Sequence, residues 1–329
     1  MYEPMTSELV HQQPLVWVVD SSYTGELHAR IGLAERLDYG YELIPLPGNE
    51  LDIYHKTLEN RYRSHAKASP LIIISGTGEE TTAEIADLRK LFQGQLFNIY
   101  LASILPEQLH PRLAEYDLIA SPQLSGNNVV TLLGVPHQLS QENLANARLL
   151  YTDYFHTLPK PIIALLVGGN TRYCAGFTPS HARHIAEKVH KINIALGGCV
   201  MITNSRRTPS DALTALLKQL SDTRHYFFDW QCIESHFYHA LLAHADMFVV
   251  TGDSLSMCSE AAFTGKPIFV DLSESATEHY HREIIGRLID YGAAKLLGDP
   301  FESWSYKPID PTGELVRSIN KQLSGHAAV

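Results

Sequence analysis

The segment richest in groups that could do chemistry is Thr251–Lys266, TGDSLSMCSEAAFTGK. A run of strand character ends at Thr251. Asp253 or Ser254 is placed to cap the helix that follows, which leaves free N–H groups at that helix's start. Ser256 and Glu260 stand four residues apart and so share a helical face, while Met257 and Ala261 point elsewhere, toward a core. A carboxylate one turn into such a helix is placed to accept hydrogen bonds from ribose hydroxyls. The plain alternative for Glu260 is a surface residue.

Three further turns offer polar groups just past a run of strand character. Gly168-Gly169-Asn170-Thr171 pairs two glycines, which would let a backbone approach a phosphate and present N–H donors, or would simply make a tight turn. Thr203–Pro209 (TNSRRTP) sets Arg206 and Arg207 beside Ser205, a combination suited to a diphosphate or a carboxylate. Its plain reading is a solvated loop in which Thr208 or Ser210 caps a helix and Pro209 opens it. Asp229-Trp230-Gln231 could lie against a base, although Trp230 fits a core equally well. The 17 histidines include His181/His184 and His236/His239 at ligand-compatible spacing, but no matching Cys or carboxylate supports a metal site. The chain has no Asp-x-Asp pair for a divalent ion, no Gly-x-Ser-x-Gly elbow, no complete Gly-x-Gly-x-x-Gly after the first strand and no P-loop.

These turns need a scaffold that delivers strand ends to one edge. Apolar runs at Leu15–Asp20, Tyr41–Leu46, Leu71–Ser75 and Phe97–Ala102 alternate with helical patterns, then restart at Ile162–Val167, Cys199–Thr203, His225–Phe228, Met247–Thr251 and Pro267–Asp271. Leu158-Pro159-Lys160-Pro161 breaks the pattern and is read as a linker. The expectation is an α/β protein of two doubly wound, Rossmann-like domains facing a cleft. Residues 1–157 form the first domain, 158–310 the second, and 311–329 a terminal helix that could cross back to the first. Parallel sheets bind ligands at the carboxyl ends of their strands, which is where the four turns fall.

Composition narrows the class. With 329 residues, 45% hydrophobic and 19% charged, the chain is long enough for two packed cores. Residues 1–157 carry 10 Lys and Arg against 19 Asp and Glu, and residues 158–329 carry 16 against 17, within a net charge of −10. That balance argues against nucleic-acid binding, makes the second half the better host for an anion, and gives no support to peripheral membrane contact by the first half. No run approaches the roughly 18 apolar residues of a membrane span, and the polar start lacks the apolar region of a signal peptide, so a cytoplasmic location is expected. The four scattered cysteines are expected as reduced thiols.

The segments LLVGGN (165–170), TNSRRTP (203–209) and ADMFVVTGDSLSMCSEAAFTGKPIFV (245–270) resemble the mitochondrial-fission Elm-type family, with looser similarity at GLAERL (32–37) and NNVVTLLGVPH (127–137). The resemblance implies a glycosyltransferase-B fold with the nucleotide-sugar donor on the second domain. It implies a donor set of Gly168, Gly169, Asn170, Ser205, Arg206, Arg207, Ser254, Ser256, Met257, Glu260 and Lys266, with Glu260 at the ribose and the glycine pair as phosphate loop. No metal or other cofactor is implied, since Arg206, Arg207, Lys266 and helix N-termini would stabilise the departing diphosphate. In the first domain the sequence departs from the family: Gly25 is followed by Glu26-Leu27-His28-Ala29, and Gln123-Leu124 follows Pro122. Glu26 and His28 are the candidates there for a catalytic base, against plain readings as a surface carboxylate and a packed imidazole. The expected function is metal-independent transfer of a glycosyl group from a nucleotide-diphosphate sugar to an unknown acceptor. Epimerisation of the nucleotide sugar, or non-enzymatic recruitment of a partner on the same fold, are the alternatives.

Overall fold

A computed structural model describes residues 14–64, 71–92, 96–232, 234–300 and 303–326. They divide into two compact units, residues up to 130 with those from 318 onward, and residues 131–317.

The first unit runs β1 (Leu15–Val19), α1 (Thr24–Leu37), β2 (Glu42–Ile44), α2 (Leu51–Ser64), β3 (Leu71–Gly76), α3 (Thr82–Phe92), β4 (Leu96–Leu101), β5 (Leu118–Ser121) and β6 (Val129–Thr131). The sheet order is β2-β1-β3-β4-β5-β6, and β2, β1, β3, β4 and β5 run parallel. Every residue of β3 and β4 is buried, as expected of strands covered on both faces. Trp17 packs edge-on against Phe92 at 5.8 Å between ring centroids, inside a core that also takes in Ile73, Ile85 and Leu88. Strand order reverses between β1 and β3, the position where open α/β sheets leave a crevice at their carboxyl edge.

The second unit holds α4 (Gln141–Leu150), α5 (Thr152–His156), β7 (Ile162–Leu166), α6 (Pro179–Leu196), β8 (Cys199–Thr203), α7 (Ser210–Gln219) and β9 (His225–Phe228). It continues with α8 (Ser235–His244), β10 (Met247–Thr251), α9 (Leu255–Phe263), β11 (Ile268–Asp271), α10 (His279–Asp290) and β12 (Ala294–Leu296). Its parallel sheet has the order β12-β11-β10-β7-β8-β9, with the reversal between β7 and β10. Helix α6 starts on Thr178, whose side chain accepts from the His181 N–H, and stops at Gly197 in the left-handed region (φ 77°). Its Ala182, Ile185 and Val189 pack on Val200 and Ile202 of β8.

The division of the chain does not fall at the proline-rich segment 158–161. Residues 131–157 belong with the second unit, where Phe155 is buried: it stacks on His244 of α8 at 4.4 Å and lies 5.7 Å from Phe237. The last helix, α11 (Pro311–His326), is shared by the division, its residues up to 317 counted with the second unit and those from 318 with the first.

Candidate functional site

At the reversal of the second sheet, the turns after β7 and β10 interlock. The Gly168 N–H donates to Thr251 Oγ1 at 2.7 Å and the Gly169 N–H to Asp253 Oδ2 at 2.7 Å, while the Asn170 N–H donates to the Arg207 carbonyl at 3.1 Å. A Cβ on Gly168 would stand 2.2 Å from Asp253 Oδ2, and one on Gly169 would stand 2.1 Å from the Arg207 carbonyl oxygen. The glycine pair is therefore required, but by the protein's own groups. All three N–H groups expected to face a phosphate already have acceptors, so the phosphate loop expected at Gly168, Gly169 and Asn170 is not free in this structure.

Arg207 and Asp253 form the centre of this knot. The guanidinium lies 2.9 Å from Asp253 Oδ2 and donates to the carbonyls of Asp253 and Asn170, each at 3.2 Å. Burial pushes the Asp253 carboxyl up, and Arg207, Thr251 and the Gly169 N–H pull it back down. Among the described residues these contacts take three of the five guanidinium N–H groups and leave two for a ligand. Ser205 shapes the same turn: its N–H donates to Thr208 Oγ1 at 2.9 Å and its Oγ accepts from the Arg207 N–H at 3.3 Å. Arg206 and Trp230 are exposed, and the Trp230 N–H is held by Asn204 Oδ1 at 2.8 Å.

Ser254 caps α9, its Oγ accepting from the Met257 N–H at 3.4 Å, so Leu255 and Ser256 keep their N–H groups outside the helical ladder. Ser256, Met257 and Glu260 are half-buried, and Ala261 is fully buried. Tyr238 of α8 donates its hydroxyl to Glu260 Oε2 at 2.6 Å. Burial raises the Glu260 carboxyl to about 7 against the pull of that hydrogen bond. Lys266 does not join this group. Its Nζ donates to the carbonyls of Leu242 at 3.4 Å, Ala243 at 2.8 Å and Ala245, closing the carboxyl end of α8. Burial lowers its pKa to about 8.

The first unit has its own polar cluster at the reversal of its sheet. Arg30 of α1, 1% exposed, donates to the carbonyls of Val19 (2.9 Å), Asp20 (2.7 Å), Gly76 (2.9 Å) and Thr77 (2.8 Å), which ties the ends of β1 and β3 together. Glu79 lies 3.4 Å from that guanidinium and accepts from Ser21 Oγ at 2.8 Å and the Ser22 N–H at 2.6 Å. Glu26 sits among these groups. Burial pushes its carboxyl up to about 7; Arg30 opposes the rise, Glu79 adds to it and a hydrogen bond with Ser103 opposes it. His28 is exposed, and no hydrogen bond or ion pair ties it to Glu26. Desolvation on the side of the ring that faces the protein lowers its pKa.

The family profile described as Mitochondrial fission ELM1 matches residues 24–323. The chain belongs to this family. The mitochondrial fission protein ELM1 of Arabidopsis thaliana is 27% identical over 296 residues, an alignment that takes in 80% of this chain and 66% of the plant protein, just under two thirds of its length. Among solved structures, the UDP-GlcNAc 2-epimerase of Methanocaldococcus jannaschii superposes with a TM-score of 0.60 at 12% identity, covering 94% of this chain and 99% of that one. MurG of Acinetobacter baumannii gives 0.52 at 12% identity, covering 94% and 90%. The fold of this family member is thus of the glycosyltransferase-B type. Among the described residues no helix is long and apolar enough to cross a membrane, and no group of three or more His, Cys, Asp or Glu is placed to hold a metal ion.

Several site residues carry no signal in the family member's sequence. Arg30 reads as one more polar residue of an amphipathic helix, yet its partners lie 46 to 49 residues away at Gly76, Thr77 and Glu79. Tyr238 sits in a helix of mixed aromatics 22 residues before Glu260. Asp253 was legible only as a helix cap; the cap is Ser254, and Asp253 is instead the buried partner of Arg207.

Proposed function

We propose that the second unit binds a nucleoside diphosphate sugar and that the protein transfers its glycosyl group. The observation that carries this reading is the conjunction, at one sheet reversal, of a capped helix N-terminus, an arginine with unused donors and a half-buried carboxylate one turn further on. The first two suit a diphosphate and the third suits ribose hydroxyls. Of the donor residues expected from sequence, Arg206, Arg207, Ser254, Ser256 and Glu260 keep that role. Met257 borders them, Ser205 and the glycine pair build the loop, and Lys266 braces α8.

In the transfer, the bond between the anomeric carbon and the diphosphate oxygen breaks as a bond to the acceptor oxygen forms. The charge gathering on the leaving diphosphate meets the Arg207 guanidinium and the N–H groups of Leu255 and Ser256. The acceptor's proton goes to a base, and Glu26 has the proton affinity for it: at about 7 its carboxyl both takes and returns a proton near neutral pH. His28 keeps no role in this account.

The test is turnover. Purified protein is incubated with UDP-, GDP-, CDP- and dTDP-sugars, alone and with cell extract as acceptor source, and the released nucleoside diphosphate is followed by chromatography. The expected result is consumption of one donor, slowed on the order of 100-fold in Glu26→Gln with donor affinity retained. A donor that binds without ever being consumed would favour recruitment over catalysis, and interconversion of the sugar without its release would favour epimerisation.

A further inference from the structure

Tyr238 belongs to none of the segments that marked the donor site, yet among the described residues it is the side chain that hydrogen-bonds Glu260, at 2.6 Å to Oε2. A phenol taken out of water must find an acceptor. This one reaches across to α9 and takes one oxygen of a carboxylate. Oε1 is left with no partner among the described residues. A carboxylate accepts at both oxygens, so this arrangement fixes the group through one and frees the other.

We propose that Tyr238 is the positioning residue of Glu260, holding its carboxylate charged and oriented so that Oε1 accepts the ribose hydroxyls of a bound nucleotide. The role rests on the nucleotide-sugar reading above. Burial drives the Glu260 carboxyl toward its neutral form and the Tyr238 hydrogen bond opposes it, so the balance falls near neutral pH. The phenol itself is pushed well up by burial and by Glu260, and stays a donor throughout the physiological range.

The remaining titratable neighbours leave that balance to Tyr238. On α9 and its approach are Cys258, its thiol pushed up by burial, and Asp253, committed to Arg207. On α8, burial holds His239 neutral with a pKa of about 4, and His236 is exposed. Lys266 is bound to the carbonyls at the end of that helix. Strands β10 and β11 and helix α10 also pack on α9, but neither Asp271 nor His281 nor Arg282 shifts Glu260.

Two readouts test the assignment in the full-length protein. The first is the titration of the Glu260 side-chain carboxyl, followed by carbon NMR of glutamate-labelled protein and assigned by its loss in Glu260→Gln. The second is the affinity for UDP-, GDP-, CDP- and dTDP-glucose across about pH 5 to about pH 9, a range in which these diphosphate diesters do not change charge. In Tyr238→Phe the Glu260 titration is expected to move alkaline by roughly one pH unit. Affinity for the bound sugar nucleotide should fall up to ~10-fold near neutrality and recover toward wild type at the alkaline end. Site-specific 3-fluorotyrosine at position 238, a stronger donor that disturbs packing little, should move both midpoints the other way and keeps the test open if the phenylalanine variant does not fold. A Glu260 titration unmoved by either variant, or a loss of affinity equal at every pH, would overturn the positioning role while leaving the nucleotide reading in place. Failure of the wild type to bind any of the four would overturn that reading and this role with it.

Discussion

Glu26 and Glu260 lie in different units and share one electrostatic condition, a carboxyl held at about 7 by burial. A folded state that keeps its proton to higher pH than the unfolded chain is favoured at low pH, where both states are protonated. That advantage is lost as pH rises from the ordinary carboxyl value of 4.5 through about 7. Thermal melts of wild type and of Glu26→Gln/Glu260→Gln between about pH 5 and about pH 8 should therefore diverge, the wild type losing stability with rising pH relative to the variant. Parallel curves would show that neither carboxyl is held out of its ordinary range. At this scale the placement of Glu260 on the helical face of Ser256 was legible in the sequence, from their spacing of four. The tie of Glu260 to Tyr238 was not, because it depends on which helices the fold brings together, and neither were Glu79 and Ser103, the neighbours of Glu26 in the loops after β3 and β4.

Among the elements, α8 and α9 show how the run Thr251–Lys266 divides its labour. The Lys266 ammonium closes the carboxyl end of α8 rather than facing a phosphate. Lys266→Met should cost about 1–3 kcal/mol by stranding those carbonyls, measured by urea unfolding. Nucleotide affinity in the same variant should stay unchanged, and a matching loss of affinity would return the residue to the donor site. The central strands of both sheets were readable, since β3, β7 and β10 are apolar runs buried along their whole length, whereas the three-residue edge strand β12 was not. Helix α2 was not, because only Tyr54 and Leu58 of its 14 residues are buried, while Leu51 and Ile53 are exposed and blur the apolar face. Helices α4 and α5 were missed beside the stronger punctuation of Pro159 and Pro161, although the packing of Phe155 on His244 decides where that segment belongs.

For the molecule as a whole, both sheets reverse their strand order where polar side chains gather, around Arg30 in one and Arg207 in the other. The two-domain α/β plan was legible from alternating strand and helix patterns. The boundary was not, because it is drawn by aromatic packing and not by prolines. Helix α11 carries part of the stability of the whole. Thr312 Oγ1 and the His137 backbone exchange two hydrogen bonds, each of 2.9 Å, and Leu315 and Ile319 are fully buried. Truncation after Pro311 should cost about 3 kcal/mol or more, read as a lowered melting temperature. An unchanged melt would show that the helix contributes little to either unit.

The central claim is that the second unit holds a nucleoside diphosphate through Arg207, the start of α9 and Glu260. Calorimetric titration of the protein with uridine, guanosine, cytidine and thymidine diphosphates, repeated on Glu260→Ala, tests it most directly. Micromolar binding of one nucleotide, weakened at least ~10-fold in the variant, is the predicted result. No binding by any of the four to the folded wild type, or equal binding by the variant, would contradict it.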